Sequence, residues 1–291
     1  MYDPTTDAPA LSLVIPVYNA ATRLPATLDA VEAFTTRSAE SVEVIFVDDC
    51  STEVETQLIL EDFTRRHPGT HLLRNRINRG KGFSVARGML YASGGNRVFT
   101  DVDLAYSLDQ VHRIVAELRA GADVAIACRV LRESCYVMSP EFFHYLYTRH
   151  LLSRAFNRVV RAFLLPGILD TQAGLKGFTA QAANLCFTQA TIPGFGFDIE
   201  CLYIAQRNGL TIQQVPVRFR YDDEPTTVHF ARDGRRMLRD VLRVKFNARR
   251  GRYVPPVPVE SPSIEPALDT ECPSPLASSS STLTTSGSRP A

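Results

Sequence analysis

"VEVIFVDDCS", residues 42–51, decides the fold. Val44 to Val47 are apolar at consecutive positions and rich in β-branched side chains, so the segment reads as a strand buried on both faces. It ends in Asp48 and Asp49, where the strand empties into a loop. The pattern recurs on either side. Upstream, "LSLVIPVYN" (11–19) is a second continuous apolar run, stopped by Pro16. Downstream come a weaker "HLLRN" (71–75), then "NRVFTDVD" (96–103) and "ADVAIACR" (122–129). Helical patterns lie between them, at about 23–37, from Ser51 to about His67, at 80–95 and at 107–120. Apolar strands each followed by a helix predict an α/β fold with a mostly parallel central sheet, whose ligands bind at the carboxyl ends of the strands. Four polar clusters fall on that edge: Pro16–Asn19, Asp48 and Asp49, Asn78–Lys81, and Asp101–Asp103.

After residue 139 the alternation stops. The pattern predicts a long helix at about 140–165, followed by the segment "DTQAGLKGFT" (170–179), a helix to about Thr188 and the segment "GFGFDIECLYIAQRNG" (194–209). A strand pair is expected around 211–221, then a basic helix at about 229–250. We read residues 1–10 as a flexible arm, 11–225 as the main folded domain, 226–253 as a basic amphipathic helix and 254–291 as a disordered tail rich in Pro, Ser and Thr.

The chain has 291 residues, 45% of them apolar and 22% charged, which suffices for a sizeable core. Net charge is +1, but the tail carries −3, leaving +4 on residues 1–253 and a mildly basic body suited to a phosphate-bearing partner. Six cysteines (50, 128, 135, 186, 201 and 272) form no C-x-x-C pair, which argues against a disulfide framework or a structural zinc site. No basic-then-apolar leader precedes Leu11 and no apolar run reaches 18 residues. The expectation is a cytoplasmic protein.

In "VFTDVDLAYS" (98–107), Asp101 and Asp103 flank one valine. In an extended chain the two carboxylates share a face and repel unless a proton or cation lies between them. The alternative is a helix start with Asp103 as its cap. Lys81, flanked by Gly80 and Gly82, beside such a pair points to a nucleoside di- or triphosphate. A Walker loop fails here, because Asn75 stands at its first Gly position and Gly82 follows Lys81. A dinucleotide fingerprint fails too, since "PVYNAATR" contains no glycine.

"LSLVIPVYNAATRLP", "VIFVDDCST", "NRGKGFSVARGML", "FTDVDLA", "DTQAGLKGFTAQAA" and "GFGFDIECLYIAQ" together resemble the family 2 glycosyltransferases. Within that family they are most similar to the dolichyl- or polyprenyl-phosphate glucosyltransferases. The resemblance runs from about residue 11 to 221 and implies a GT-A fold. It implies that Pro16, Tyr18 and Asp49 hold the nucleoside, that Lys81 lies near the diphosphate, and that Asp101 and Asp103 bind Mg²⁺ or Mn²⁺ across the two phosphates. Asp170 and Gln172 would line the site. There are departures: Ala20 stands where Glu is usual, Cys50 where Gly is, and Ala173 and Leu175 where Cys and Phe are. Gly196 stands where an aromatic commonly precedes Phe197.

Transfer to a sugar hydroxyl needs a general base, whereas a phosphate monoester is largely dianionic at pH 7 and needs mainly cations. Arg129 and Lys176 are the candidate acceptor-phosphate ligands, although Arg129 could instead pair with Asp101 and Lys176 could be solvated. Asp198 is either a catalytic residue or a helix cap, and it lies about 200° from Glu200 if the helix has begun. In "HLLSRAFNRVVRAFLL" (150–165), His150, Arg154, Arg158 and Arg161 fall within about 80° of one another on a helix. "ARDGRRMLRDVLRVKFNARRGRY" (231–253) has nine Arg or Lys against two Asp. These two stretches predict peripheral attachment to an anionic membrane surface, with no nucleic-acid partner.

The reading is an inverting, metal-dependent hexosyltransferase taking UDP-glucose to polyprenyl phosphate. Alternatives are GDP-mannose as donor, a saccharide or glycolipid hydroxyl as acceptor, or a silent donor-binding protein.

Overall fold

The computed structural model describes residues 8–138, 157, 158, 160–221 and 230–253. The tail, the residues before 8 and most of the helix expected at 140–165 lie outside them. By its contacts the chain divides after Pro255, and every described residue belongs to the first unit.

Strand β2 (Val42–Asp48) pairs in parallel with β1 (Leu11–Val17) on one side and with β3 (Thr70–Arg74) on the other. Strand β4 (Asn96–Phe99) continues the parallel set beyond β1. Helices α1 (Leu24–Arg37), α2 (Val54–Arg66) and α3 (Lys81–Tyr91) make the crossovers. Both faces are covered, which is why the strands are apolar at consecutive positions. Leu13, Ile15, Val44 and Phe46 pack in one core with residues of α1, α2 and α4 (Asp109–Arg119). Val14, Ile45 and Val47 pack in the other with α3, α5 (Ala180–Gln189), α6 (Phe197–Arg207) and α7 (Phe230–Arg249).

The seven-stranded sheet runs β3-β2-β1-β4-β7-β5-β8. Strand β7 (Lys176–Thr179) lies antiparallel between β4 and β5 (Val124–Cys128). The sequence pattern assigns this segment no strand. Four residues with a glycine among them carry no strand periodicity, and only the two flanking strands hold it extended. Because β7 runs backward, its first residue, Lys176, lies on the carboxyl edge of the parallel strands, opposite Phe99.

Two further expectations change. The strands at 211–221 do not pair with each other: β8 (Ile212–Pro216) joins β5, while β9 (Arg218–Tyr221) pairs with β6 (Cys135–Met138) in a separate parallel ribbon. Pro16 does not stop β1, which continues to Val17. Thr100 N–H donates to the carbonyl of Val14, so the even-numbered residues of β1 face β4. That strand has ended by Pro16, so the missing N–H breaks no ladder bond. The five described cysteines are free, and among the described residues no helix is long and apolar enough to cross a membrane.

Candidate active site

At the β2 terminus both aspartates are buried and fully engaged. Asp48 accepts from the Ser51 amide at 2.9 Å and from Arg74 at 3.0 Å. Asp49 accepts from Asn75 Nδ2 at 2.7 Å and from the backbone N–H groups of Arg79 and Gly80 at 2.9 and 2.7 Å. Asp49 therefore pins the loop that opens α3 and presents Lys81. Gly80 needs to be glycine twice over. Its φ is +95°, and a Cβ there would come within 2.7 Å of the Pro193 carbonyl oxygen. Cys50, the residue after Asp49, has φ +59°, a left-handed backbone better suited to the glycine usual in the resemblance.

Asp101 and Asp103 are not on an extended segment. Residues 101–104 turn back, with the Leu104 amide on the Asp101 carbonyl at 3.1 Å and Leu104 at φ +46°. Asp103 caps no helix; its carboxylate accepts from the Ala105 amide at 3.1 Å. Lys81 Nζ lies 2.5 Å from Asp101 Oδ1. Burial pushes the Lys81 ammonium down, but Asp101 and then Asp198 and Asp103 outweigh it and hold the pKa above its ordinary value. The Asp103 carboxyl is raised, first by the protein crowded around it and next by the Asp101 charge. Gly174 closes the back of this group: a Cβ there would meet Asp101 Oδ2 at 2.1 Å.

Among the described residues no three acidic, His or Cys side chains gather to cage an ion unaided. Two carboxylates, one of them short of partners, are nonetheless the oxygen set that Mg²⁺ or Mn²⁺ uses when phosphate oxygens and water complete its shell. The residues fit such an ion.

The other half of the edge is built on two buried ion pairs. Arg129, just past β5, grips Asp170 with Nε at 2.7 Å and a second guanidinium nitrogen at 2.9 Å, and its own amide adds a bond at 3.0 Å. Burial would raise the Asp170 carboxyl, yet the Arg129 charge and bonds hold it below the usual range. So Arg129 pairs with Asp170 rather than Asp101. Gln172 donates its amide to Asp170 at 3.2 Å, and its Nε2 is buried without a partner. The Tyr106 hydroxyl, which the sequence did not single out, is also buried and unpartnered, with Phe219 against its ring.

Lys176 is fully buried rather than solvated; its Nζ donates to Asp198 and to the Ala173 carbonyl. A direct grip on an acceptor phosphate does not fit this placement. Asp198 sits in the first turn of α6 with no capping bond. Burial raises its pKa against the pull of Lys176 and Lys81. Glu200 points elsewhere and accepts from the amides of Thr191 and Ile192, both at 2.7 Å. The structure thus brings Lys81, Asp101, Asp103, Lys176 and Asp198 into one charged group. Arg129, Asp170 and Gln172 stand beside it, and exposed Tyr18 follows buried Pro16 at the β1 terminus.

A sequence profile described as "Glycosyl transferase family 2" matches residues 12–176, more than half of the chain. The chain belongs to glycosyl transferase family 2. Among similar members, a dolichyl-phosphate beta-glucosyltransferase of Dictyostelium discoideum is 30% identical, over 81% of this chain and 74% of that one. Its counterpart in Drosophila melanogaster is 32% identical, over 73% and 68%. The glucosyl-3-phosphoglycerate synthase of Mycobacterium tuberculosis, solved with UDP, superposes at a TM-score of 0.59. It is 20% identical, over 81% of this chain and 80% of that one, a likeness that places this family 2 member in the GT-A fold.

Proposed function

We propose that this glycosyltransferase moves glucose, with inversion, from UDP-glucose to a dolichyl or other polyprenyl phosphate at the cytoplasmic face of a membrane. The observation that carries the donor half is the Lys81–Asp101 pair with Asp103 in the same turn, a cation and two carboxylates at the carboxyl edge. Asp101 and Asp103 would hold Mg²⁺ or Mn²⁺, which supplies Lewis-acid stabilisation of the departing diphosphate. The M. tuberculosis neighbour, solved with Mn²⁺ and UDP-glucose, supports that choice. Lys81 neutralises phosphate oxygens, and the exposed Tyr18 ring offers a face for the base. Asp49 acts one step back, through the loop it pins.

The acceptor half rests on the named activity of the relatives and on the state of Asp198. A phosphate dianion attacks without a base. Asp198 is 4% exposed and bonded to Lys176, an arrangement that suits such an acceptor better than proton abstraction. Arg129, aligned by Asp170 and lying over the Phe219 ring, keeps further N–H groups for a phosphate. Lys176 works through Asp198. The raised pKa of Asp198 favours a second reading, a hydroxyl acceptor with Asp198 as base.

Access to a lipid acceptor falls to α7. Leu238, Leu242 and Phe246 are about half exposed at four-residue spacing, among exposed Arg239, Arg243 and Arg249, while Val241, Val244 and Ala248 are buried. An apolar stripe edged with arginine suits an anionic membrane surface. Flotation with anionic liposomes at low salt should carry the protein upward, and protein left at the bottom would refute this attachment.

The deciding experiment incubates protein and Mn²⁺ with radiolabelled UDP-glucose or GDP-mannose, with and without a short polyprenyl phosphate. Glucose label entering the organic phase only with the lipid is the expected result. Nucleotide release without labelled lipid would favour the hydroxyl acceptor, and labelling from GDP-mannose alone would change the donor.

A further inference from the structure

Glu200 is wholly buried and takes no part in the chemistry proposed for the site, yet it is the most heavily bonded carboxylate of α6. Besides the Thr191 and Ile192 amides, it accepts from Thr191 Oγ1 at 2.8 Å and from the Tyr253 hydroxyl at 2.6 Å. Asn247, near the end of α7, donates to the Tyr253 hydroxyl and to Thr191 Oγ1, both at 3.1 Å. Two turns earlier on the same helix, Asp240 lies against Gly196, where a Cβ would meet its Oδ2 at 2.5 Å. Helix α7 and the residues just after it therefore touch both ends of segment 191–196.

That segment in turn packs on the loop that opens α3. The Phe83 amide donates to the Pro193 carbonyl at 3.1 Å. A Cβ on Gly82 would come within 2.7 Å of the Ile192 carbonyl oxygen and 2.8 Å of that of Gly194. Lys81 stands between Gly80 and Gly82, so its main chain is held by Asp49 on one side and by segment 191–194 on the other. Asp198 lies close behind, at the start of α6.

We propose that Tyr253 and Asn247 are positioning residues for the donor loop. They hold Glu200 and Thr191, Glu200 holds the 191–192 backbone, and that backbone fixes the glycine loop carrying Lys81. The end of α7 thereby sets donor-site geometry without touching the donor. The catalytic consequence rests on the proposed donor site, whereas the mechanical link does not. No pH switch is implied: among the described residues, the charged and titratable groups that face this cluster are Glu200, Cys201 and Tyr203 of α6 and Asp240, Arg236, Arg239 and Arg243 of α7.

The test is Tyr253→Phe, which removes one hydroxyl and keeps the ring that packs on Tyr203. Amide hydrogen exchange is read without ligand. Thr191, Ile192 and Phe83 should exchange about tenfold faster, as expected on weakening a bond to a charged group. Donor KM should rise about fivefold with kcat within about twofold, the mark of lost ground-state positioning. Asn247→Ala should give the same pattern, and Tyr203→Phe should give none of it. Faster exchange confined to residues 247–253, or an unchanged Phe83 amide, would overturn the link. An altered Phe83 amide with unchanged donor KM would overturn the positioning role. Wild-type protein that fails to bind UDP with Mn²⁺ would instead sink the donor reading, leaving the exchange signature to be judged alone.

Discussion

The β2 and β4 termini both present two closely spaced aspartates to the same sheet edge, and the protein treats them in opposite ways. At β2, Asp48 and Asp49 are buried and five donors, three of them backbone amides, leave none of their four oxygens without a bond. At β4, Asp101 and Asp103 are partly open; Asp101 holds the Lys81 ammonium and Asp103 the Ala105 amide. A carboxylate with both oxygens bonded is part of the frame. One left short of partners is held ready for something that arrives later. The same distinction separates Glu200 from Asp198 on a single helix.

The largest effect that this contrast demands is that of Asp101→Asn. Glucosyl transfer should fall about a thousandfold in kcat/KM, the scale of losing a charge-stabilising ligand. The thermal midpoint should hardly move. A folded variant with near-normal turnover would erase the distinction.

Asp170→Asn probes a saturated carboxylate and should cost about 3 kcal/mol in urea unfolding at pH 7, because it strands the Arg129 charge. The pH dependence has a definite sign. Asp170 has a lowered folded-state pKa, so its contribution is complete above the unfolded value of 3.8 and is lost as pH falls through the folded one. The gap between wild type and variant should stay constant from pH 8 to about pH 5 and shrink below about pH 4. A gap that widened in acid would contradict the assignment.

Asp49→Asn should cost about 2 kcal/mol, since an amide cannot accept from all three donors. Its activity loss should appear mainly in donor KM, because the damage reaches the site through the loop. The smallest effect is Asp103→Asn. Removing a like charge beside Asp101 should leave stability unchanged or raise it by less than about 1 kcal/mol. Calorimetry should then show weaker Mn²⁺ binding in the presence of UDP.

Legibility in the sequence followed the same division. The parallel half was readable because runs such as Val44 to Val47 are short, apolar at consecutive positions, rich in β-branched residues and alternate with helical patterns. The donor loops followed from where those strands end. The acceptor half was harder. Lys176 lies in "GLKGF", where a lone lysine among apolar residues and glycines reads as a phosphate ligand or a solvated side chain. Its burial depends on a strand, β7, that exists only between two others. Asp198 and Glu200 were ambiguous because their directions depend on the residue at which α6 begins. Once Phe197 opens the helix, one faces Lys176 and the other the 191–192 backbone. The partner of Arg129 could not be read locally either, since Asp170 is 41 residues away.

The backward strand also bears on how the chain comes off the ribosome. β1 to β4 can pair once residue 99 has emerged, but β5 has no neighbour in the sheet until β7 arrives. The 76 residues between Phe99 and Lys176 take roughly 4 to 15 seconds to synthesise at about 5–20 residues per second. Through that interval β4 is an unpaired, apolar edge on a nascent half-sheet, open to pairing with any other exposed strand. Four residues around Gly177 end that exposure, so a lesion there would show first as aggregation during expression, before any effect on the finished enzyme.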